Sequence, residues 1–423
     1  MRVLKKGMSG TDVMEIQATL NKMGYYNGQM DGIFGSQMES AVRRFQTNFG
    51  LSADGVIGAN TYSALNRYLL GSDTYTIKEG DSFYKVAQKY YTNLDLLLAA
   101  NPGLDPQNLQ VGQKITVPYG MDVVDTNISY TYDIMERDIE GLKTRYPFIE
   151  TGVAGQSVLG RNLYYLRIGT GSNPVFFNAA HHGLEWITTP LLMKFAEQFA
   201  RAYVLGQNIG GYNAFNIYNN SSIYIMPMVN PDGVDLVLNG LKTDNPYYSR
   251  LISWNKGSTN FSKNWQANIR GVDLNHNYDA LWQEYKEIAD AAGITSPGPT
   301  RYPGEQPISE PETQAVERFT KKHNFKLVIA YHTQGEVIYW NFQNRAPAEA
   351  KQIGQTMSLI SGYALDNATG MASYSGYKDW FIQDFGRPGY TVEAGLGTNP
   401  LPISQFDSIY SKNLSLLLYA AQV

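Results

Sequence analysis

Beyond residue 170, four short apolar runs each stop on polar residues able to bind a cation or move a proton. Val175 to Ala180 runs into His181-His182, Ile223 to Val229 ends at Asn230-Pro-Asp-Gly233, Phe325 to Tyr331 ends on His332, and Tyr390 to Val392 delivers Glu393. Runs this short, separated by longer stretches with apolar residues at helical spacing, predict buried strands alternating with helices. One such helix is expected from Ile187 to Val204, with Leu191, Leu192, Phe195 and Phe199 on one face, and another opens at Ser309-Glu-Pro-Glu312 and continues through Phe319. The pattern restricts this part of the chain to an α/β fold. In open α/β sheets ligands bind outside the carboxyl ends of the strands, and that edge is where the histidines and Glu393 are expected to gather.

The chain has no cysteine and five histidines, so any metal must be held by His, Asp or Glu. His182 and Glu185 are three residues apart in Asn178-Ala-Ala-His181-His182-Gly-Leu-Glu185-Trp. With His332 they offer two imidazoles and a carboxylate, a donor set that suits a zinc ion with one open position. Such an ion would lower the pKa of a water toward ~7, and Glu393 could take the water's proton and pass it to a leaving amine. His181 is expected to point away from the ligands, because side chains alternate along a strand end. His323, in Lys-Lys-His-Asn, is expected to be a helix C-terminal cation or a surface residue.

At 423 residues the chain exceeds the size of a single core, and several domains are expected. A net charge of -4 gives no basic surplus, so neither nucleic acid nor an anionic membrane is expected as a partner, and no segment is long and apolar enough for a membrane span. Residues 1–71 carry amphipathic runs at Val13, Ile16 and Leu20, a helix with Ala41-Val42-Arg-Arg-Phe45-Gln46, and two turns, Asp31-Gly32-Ile33-Phe34-Gly35 and Asp54-Gly55-Val56-Ile57-Gly58. This segment resembles the three-helix peptidoglycan-binding module. Residues 72–119 predict strand, helix, helix, strand, with Glu79-Gly80-Asp81-Ser82, Asn101-Pro102-Gly103 and Gly112-Gln113-Lys114-Ile115 at the turns, and resemble a LysM domain, which implies N-acetylglucosamine-containing glycans as ligands. A linker follows to about residue 125, and residues 125–423 form the third expected domain.

That third segment resembles the zinc metallocarboxypeptidase family at His182-Gly-Leu-Glu185-Trp-Ile-Thr, Asn230-Pro-Asp-Gly233, Gly271-Val-Asp-Leu-Asn275, His332 and the stretch from Asp379-Trp380 to Glu393. The resemblance implies a mixed-sheet catalytic domain, one zinc ion per chain on His182, Glu185 and His332, and Glu393 as general base and acid. The departures from the family concern substrate contacts. Exopeptidases of the family place an arginine after the motif asparagine to grip a terminal carboxylate, and here the pair is Asn275-His276. An upstream arginine that polarises the scissile carbonyl corresponds to Gln266, leaving a neutral donor, the zinc or a protonated His276 to stabilise the oxyanion. The family's pocket tyrosine falls on Met371, with Tyr374 nearby as a substitute, and Lys378 takes the position that lines the specificity pocket, where it would favour a negatively charged leaving side such as meso-diaminopimelate.

The combination resembles bacterial γ-D-glutamyl-diaminopimelate peptidases. The expected partners are peptidoglycan glycan strands and stem peptides. Two other functions fit part of the pattern, a general carboxypeptidase on α-linked peptides and a non-catalytic wall-binding protein. Met-Arg-Val-Leu-Lys-Lys-Gly carries no apolar stretch behind its charges, so no signal peptide is expected in this chain. The modules nevertheless imply a cell-wall or extracellular setting, with an intracellular or spore compartment as the other option.

Overall fold

The protein is described here by a computed structural model covering residues 2–423. Its contacts divide it into two compact units that meet in sequence between Ile149 and Glu150.

The N-terminal unit opens with three helices, α1 (Thr11–Lys22), α2 (Ser36–Asn48) and α3 (Ala59–Leu69). They close around Val13, Ile16, Leu20, Phe34, Val42, Phe45 and Leu65. The two Asp-Gly turns are built alike, each held by a glutamine from the preceding helix. Gln17 accepts from Gly32 N at 2.8 Å and donates to Asp31 at 2.9 Å, while Gln46 accepts from Gly55 N at 2.8 Å and donates to Asp54 at 2.7 Å. Gly32 and Gly55 sit at φ 70 and 74, a left-handed conformation in which glycine carries no Cβ penalty. A short module follows in which β1 (Ser72–Thr76) pairs antiparallel with β2 (Lys114–Pro118) around α4 (Phe83–Lys89) and α5 (Leu94–Ala99). Ser82 and Asn93 cap these helices with their side chains, as their types favour.

Helix α6 (Tyr132–Arg145) belongs to this N-terminal unit, so the compact boundary falls some way after residue 125. Its Arg145 is buried and donates to the carbonyls of Met121 and Tyr119, and its Arg137 pairs with the buried Glu15. An amphipathic helix following a linker does not reveal from its own sequence which neighbour it will cover.

The C-terminal unit is organised on one mixed sheet. In chain order its strands are β3 (Glu150–Gln156), β4 (Asn162–Ile168) and β5 (Asn173–Ala179), then, after the helix α7 (Thr188–Val204) and a small hairpin of β6 (Asn208–Ile209) and β7 (Tyr212–Asn213), β8 (Ser221–Met226), β9 (Leu327–His332), β10 (Val337–Tyr339), β11 (Ala364–Asp366) and β12 (Gly389–Glu393). The eight sheet strands lie in the order β11-β10-β12-β9-β5-β8-β4-β3. The central strands β8, β5, β9 and β12 are mutually parallel, with antiparallel neighbours β4 and β10 outside them. Helices cover both faces, which explains why β5 is apolar without alternation. Phe176 packs on Phe319 of the helix Pro311–His323, with ring centroids 5.2 Å apart, whereas Phe177 faces Phe195 of α7 on the other side at 6.1 Å. Because the four central strands run the same way, His332 and Glu393 are direct register partners and the end of β5 lies beside them.

Candidate active site

The chain leaves β5 through Ala180 at φ 53 and enters a single 3-10 turn, Gly183–Glu185, that brings Glu185 back toward His182. Gly183 is required there because a Cβ would lie 2.7 Å from Gly233 O and 3.0 Å from Trp265 O. Its N–H donates to Gln266 O at 2.9 Å. Asn230 ties the same junction from the other side, donating to His181 O at 3.0 Å and Ala267 O at 3.1 Å.

His182 Nδ1 lies 2.9 Å from Glu185 Oε1, His332 Nδ1 lies 2.9 Å from Glu185 Oε2, and the two Nδ1 atoms are 3.3 Å apart. These three residues form the group of potential metal ligands among the described residues, with donor atoms all within 4.8 Å. Ligand atoms held ~2.0–2.2 Å from one ion at tetrahedral angles stand roughly 3.3 Å from one another, so the donor set fits a metal of zinc's size. Two imidazole nitrogens and a carboxylate are also zinc's usual ligand types when cysteine is absent.

Asp273, which sequence reasoning did not single out, supports this set. Its Oδ1 accepts from His182 Nε2 at 3.0 Å and its Oδ2 accepts from Arg301 N at 2.8 Å. Burial opposes its charge, but His182, His276 and these hydrogen bonds outweigh burial and hold the carboxyl below the usual range. The only sequence signal for Asp273 is its place inside Gly271-Val-Asp-Leu-Asn275. Asn399 is a second unforeseen contact, reaching Glu185 Oε1 at 3.4 Å while donating to Thr333 O at 2.7 Å. Nothing in its local sequence marks it.

Glu393 ends β12 half-buried, and as the register partner of His332 it shares that residue's side of the sheet. Burial and the Glu185 carboxylate push its carboxyl well up, against the pull of His182. A divalent ion on the three ligands would act in the opposite direction.

Gln266 lies beside the site, with its Oε1 accepting from Thr300 Oγ1. Among the described residues nothing occupies its Nε2, which leaves an oriented neutral donor. His276 stacks on Tyr285 with centroids 4.2 Å apart and planes at 7°, and its Nδ1 faces Tyr374 O at 3.1 Å. Burial lowers its pKa despite the nearby Asp273, so it is a neutral imidazole at pH 7. Tyr374 meets His276 through its main chain. Asn275 accepts from Tyr377 N at 3.0 Å, and the half-buried Met371 sits in the 3-10 turn Gly370–Ser373.

Two expectations are corrected. Lys378 is not a pocket cation: it is 4 % exposed, donates to Asn341 O at 2.7 Å and is paired with Asp379, so its charge is compensated inside the protein. His323 closes the helix Pro311–His323 as expected, but it is half-buried and not a free surface cation. Its Nδ1 donates to Phe319 O at 2.8 Å, its ring packs against Tyr224 and Phe319, and burial lowers its pKa. His181, by contrast, lies behind the ligands, hydrogen-bonded to Tyr278 at 3.0 Å and stacked on His332 with centroids 5.6 Å apart.

Comparison with known proteins agrees with this geometry. Residues 135–415 match the zinc carboxypeptidase family, residues 9–65 a peptidoglycan binding domain and residues 75–118 the LysM domain. The chain is 43% identical over 394 residues to gamma-D-glutamyl-L-diamino acid endopeptidase 1 of Lysinibacillus sphaericus, covering 81% of this chain and 98% of that protein. It is 33% identical over 327 residues to the protein YqgT of Bacillus subtilis (strain 168), covering 76% of this chain and 86% of that one. Its fold is similar to that of bovine thrombin-activatable fibrinolysis inhibitor solved with tick carboxypeptidase inhibitor, at a TM-score of 0.53 and 21% identity over 69% of this chain and 95% of that one. The protein is a metallopeptidase that belongs to the zinc carboxypeptidase family, with a peptidoglycan binding domain and a LysM domain ahead of its catalytic unit.

Proposed function

We propose that the protein is a zinc-dependent endopeptidase that hydrolyses the γ-D-glutamyl–meso-diaminopimelate bond of peptidoglycan stem peptides, with His182, Glu185 and His332 holding the ion. The observation that carries the choice of an internal bond is His276. A neutral, stacked imidazole with its Nδ1 at a carbonyl offers no cation to grip a C-terminal carboxylate, which disfavours a general carboxypeptidase. The similarity to the Lysinibacillus endopeptidase supports the same choice.

Zinc bound there would supply Lewis acidity, polarising the scissile carbonyl and bringing the pKa of water to ~7. Glu393 takes the proton of the attacking water and returns it to the departing diaminopimelate amine. Gln266 Nε2 donates to the carbonyl oxygen as negative charge develops, with Thr300 fixing the orientation of the amide. Asp273 holds His182 in the tautomer whose Nδ1 can ligate. The two N-terminal domains support peptidoglycan as the partner, and with it a site of action at the cell wall or in the spore envelope.

Digesting L-Ala-γ-D-Glu-meso-diaminopimelate-D-Ala and weighing the products tests this reading. The expected products are L-Ala-D-Glu and meso-diaminopimelate-D-Ala. Release of D-Ala with the γ bond intact would overturn it.

A further inference from the structure

The N-terminal unit contains a cleft of about 630 Å³ whose lining includes Arg67, Tyr68, Lys89, Tyr90, Tyr91 and Tyr119. Most of its lining lies outside the stretches that match the two binding-domain families, since Arg67, Tyr68, Asp73 and Tyr119 fall between or after residues 9–65 and 75–118. It therefore belongs to neither module alone and forms where the end of α3, the start of β1, the end of α4 and the residues after β2 come together. Its volume is in the range of roughly 300–1,000 Å³ usual for small-ligand sites.

The chemistry of the walls is specific. Tyr68 and Tyr119 stack with centroids 5.0 Å apart and planes at 15°, and Tyr90 extends the row on Tyr119 at 6.3 Å and 24°. Tyr68 and Tyr90 are half-buried, so the row is open along the cleft, and Tyr91 beside it is 91 % exposed. A cation lies at each end. Arg67 sits 5.5 Å from the Tyr68 ring centre and is neutralised by Asp73 at 3.0 Å. Lys89 lies 4.6 Å from the centre of Tyr75 and 5.7 Å from that of Tyr90; it feels the charge of Asp81, which accepts from Tyr75 Oη, but among the described residues it is held in no close ion pair. A row of amphipathic rings offers apolar body and hydroxyl edge together, which suits a ligand with an apolar C–H face and many hydroxyls. The exposed Lys89 ammonium, free of a close ion pair, adds a preference for one negative charge.

We propose that this cleft is a second binding site, separate from the peptidase centre, for an amino-sugar glycan whose sugar carries a carboxylate. A pyranose face lies against Tyr91, the hydroxyls meet the exposed edges of Tyr68 and Tyr90, and the carboxylate meets Lys89. The inference rests on reading the N-terminal domains as wall binders and is independent of the peptidase chemistry.

The test is calorimetric titration of the full chain with the disaccharide N-acetylglucosaminyl-N-acetylmuramic acid, its lactyl carboxylate free, and with N,N′-diacetylchitobiose, which has none. Both Tyr91 and Lys89 are exposed, so Tyr91→Ala and Lys89→Gln leave the fold intact. Each is expected to weaken binding of the carboxylated disaccharide by at least about fivefold, the scale of one lost aromatic or charged contact. Lys89→Gln should also abolish the preference over chitobiose, while turnover of the soluble tetrapeptide stays unchanged in both variants. Absence of disaccharide binding, or affinities within about twofold of the wild type in both variants, overturns the proposal. Retention of the wild type on purified sacculi separates the two readings. Retention with unaffected variants removes the cleft alone, and failure of the wild type to be retained removes the wall-binding reading with it.

Discussion

Asp273 Oδ1 accepts a hydrogen bond from His182 Nε2 at 3.0 Å, and this fixes the other ring nitrogen, Nδ1, as the one turned to Glu185 and His332. A neutral imidazole carries one N–H, so a proton held at Nε2 leaves the Nδ1 lone pair for a cation. Asp273 is in turn held by the N–H of Arg301. Replacing the carboxylate by an amide weakens the acceptor and offers His182 a competing donor. Asp273→Asn is expected to lower metal affinity about 10–100-fold with little change in fold. Competition with a chelator of known zinc affinity measures this, and wild-type affinity in the variant would remove Asp273 from the account.

Gln266 is a neutral donor beside the site, and its amide is oriented by Thr300. Gln266→Ala is expected to reduce kcat about 10²–10³-fold, as loss of one oxyanion donor does, while KM changes little. Thr300→Val should give a smaller loss in the same direction. Steady-state kinetics on the tetrapeptide check both, and a change confined to KM would assign Gln266 to ground-state binding instead.

Lys378 tests the corrected reading of the specificity pocket. Lys378→Met leaves Asp379 buried opposite an apolar side chain, although Gly376 N still donates to its Oδ2 at 3.1 Å. Breaking a buried pair from one side costs on the order of 3–5 kcal/mol. Chemical denaturation should show that loss, with an unchanged KM ratio between diaminopimelate- and lysine-containing peptides. A selective rise in KM for the diaminopimelate peptide would return Lys378 to the pocket.

How much of this was legible in the sequence depends on whether a residue's role is set along the chain or across it. The apolar runs before His332 and Glu393 are strands that end on those residues, and the run before His182 is a strand that ends three residues ahead of it at Ala179, so the sheet edge and its ligands follow from run length and position. The paired Asp31-Gly32 and Asp54-Gly55 turns were equally visible, because left-handed glycines and their glutamine clamps are local. Lys378 and His323 were not, because burial is decided by what packs on them: Asp379 and Asn341 for one, and a ring cluster from β8 and the helix Pro311–His323 for the other. Asn399 meets Glu185 only through the fold. The membership of α6 likewise depends on Glu15 and the carbonyls of Tyr119 and Met121.

Glu312 sets a pH dependence of stability. Burial first, then the charge of Asp232, push its carboxyl up to about 8, against the N–H of Val158 that pulls it down. In the unfolded chain a glutamate titrates near ~4.3. Below that value both states hold the proton, and above it the unfolded state releases the proton while the folded state keeps it. The contribution of Glu312 is therefore fully present below ~4.3 and is lost as pH rises through about 8. Glu312→Gln, which cannot ionise, is expected to flatten the fall in Tm between about pH 5 and pH 8.5. Calorimetric scans across that range decide it, and parallel curves for the two proteins would contradict the assignment.

The most direct test of the central claim is a crystal of the protein grown with zinc and measured on both sides of the zinc absorption edge. The account predicts one anomalous peak per chain, ~2.0–2.2 Å from His182 Nδ1, His332 Nδ1 and a Glu185 carboxylate oxygen, and complete loss of tetrapeptide cleavage when that metal is removed. A peak elsewhere, or full cleavage by metal-free protein, would contradict it.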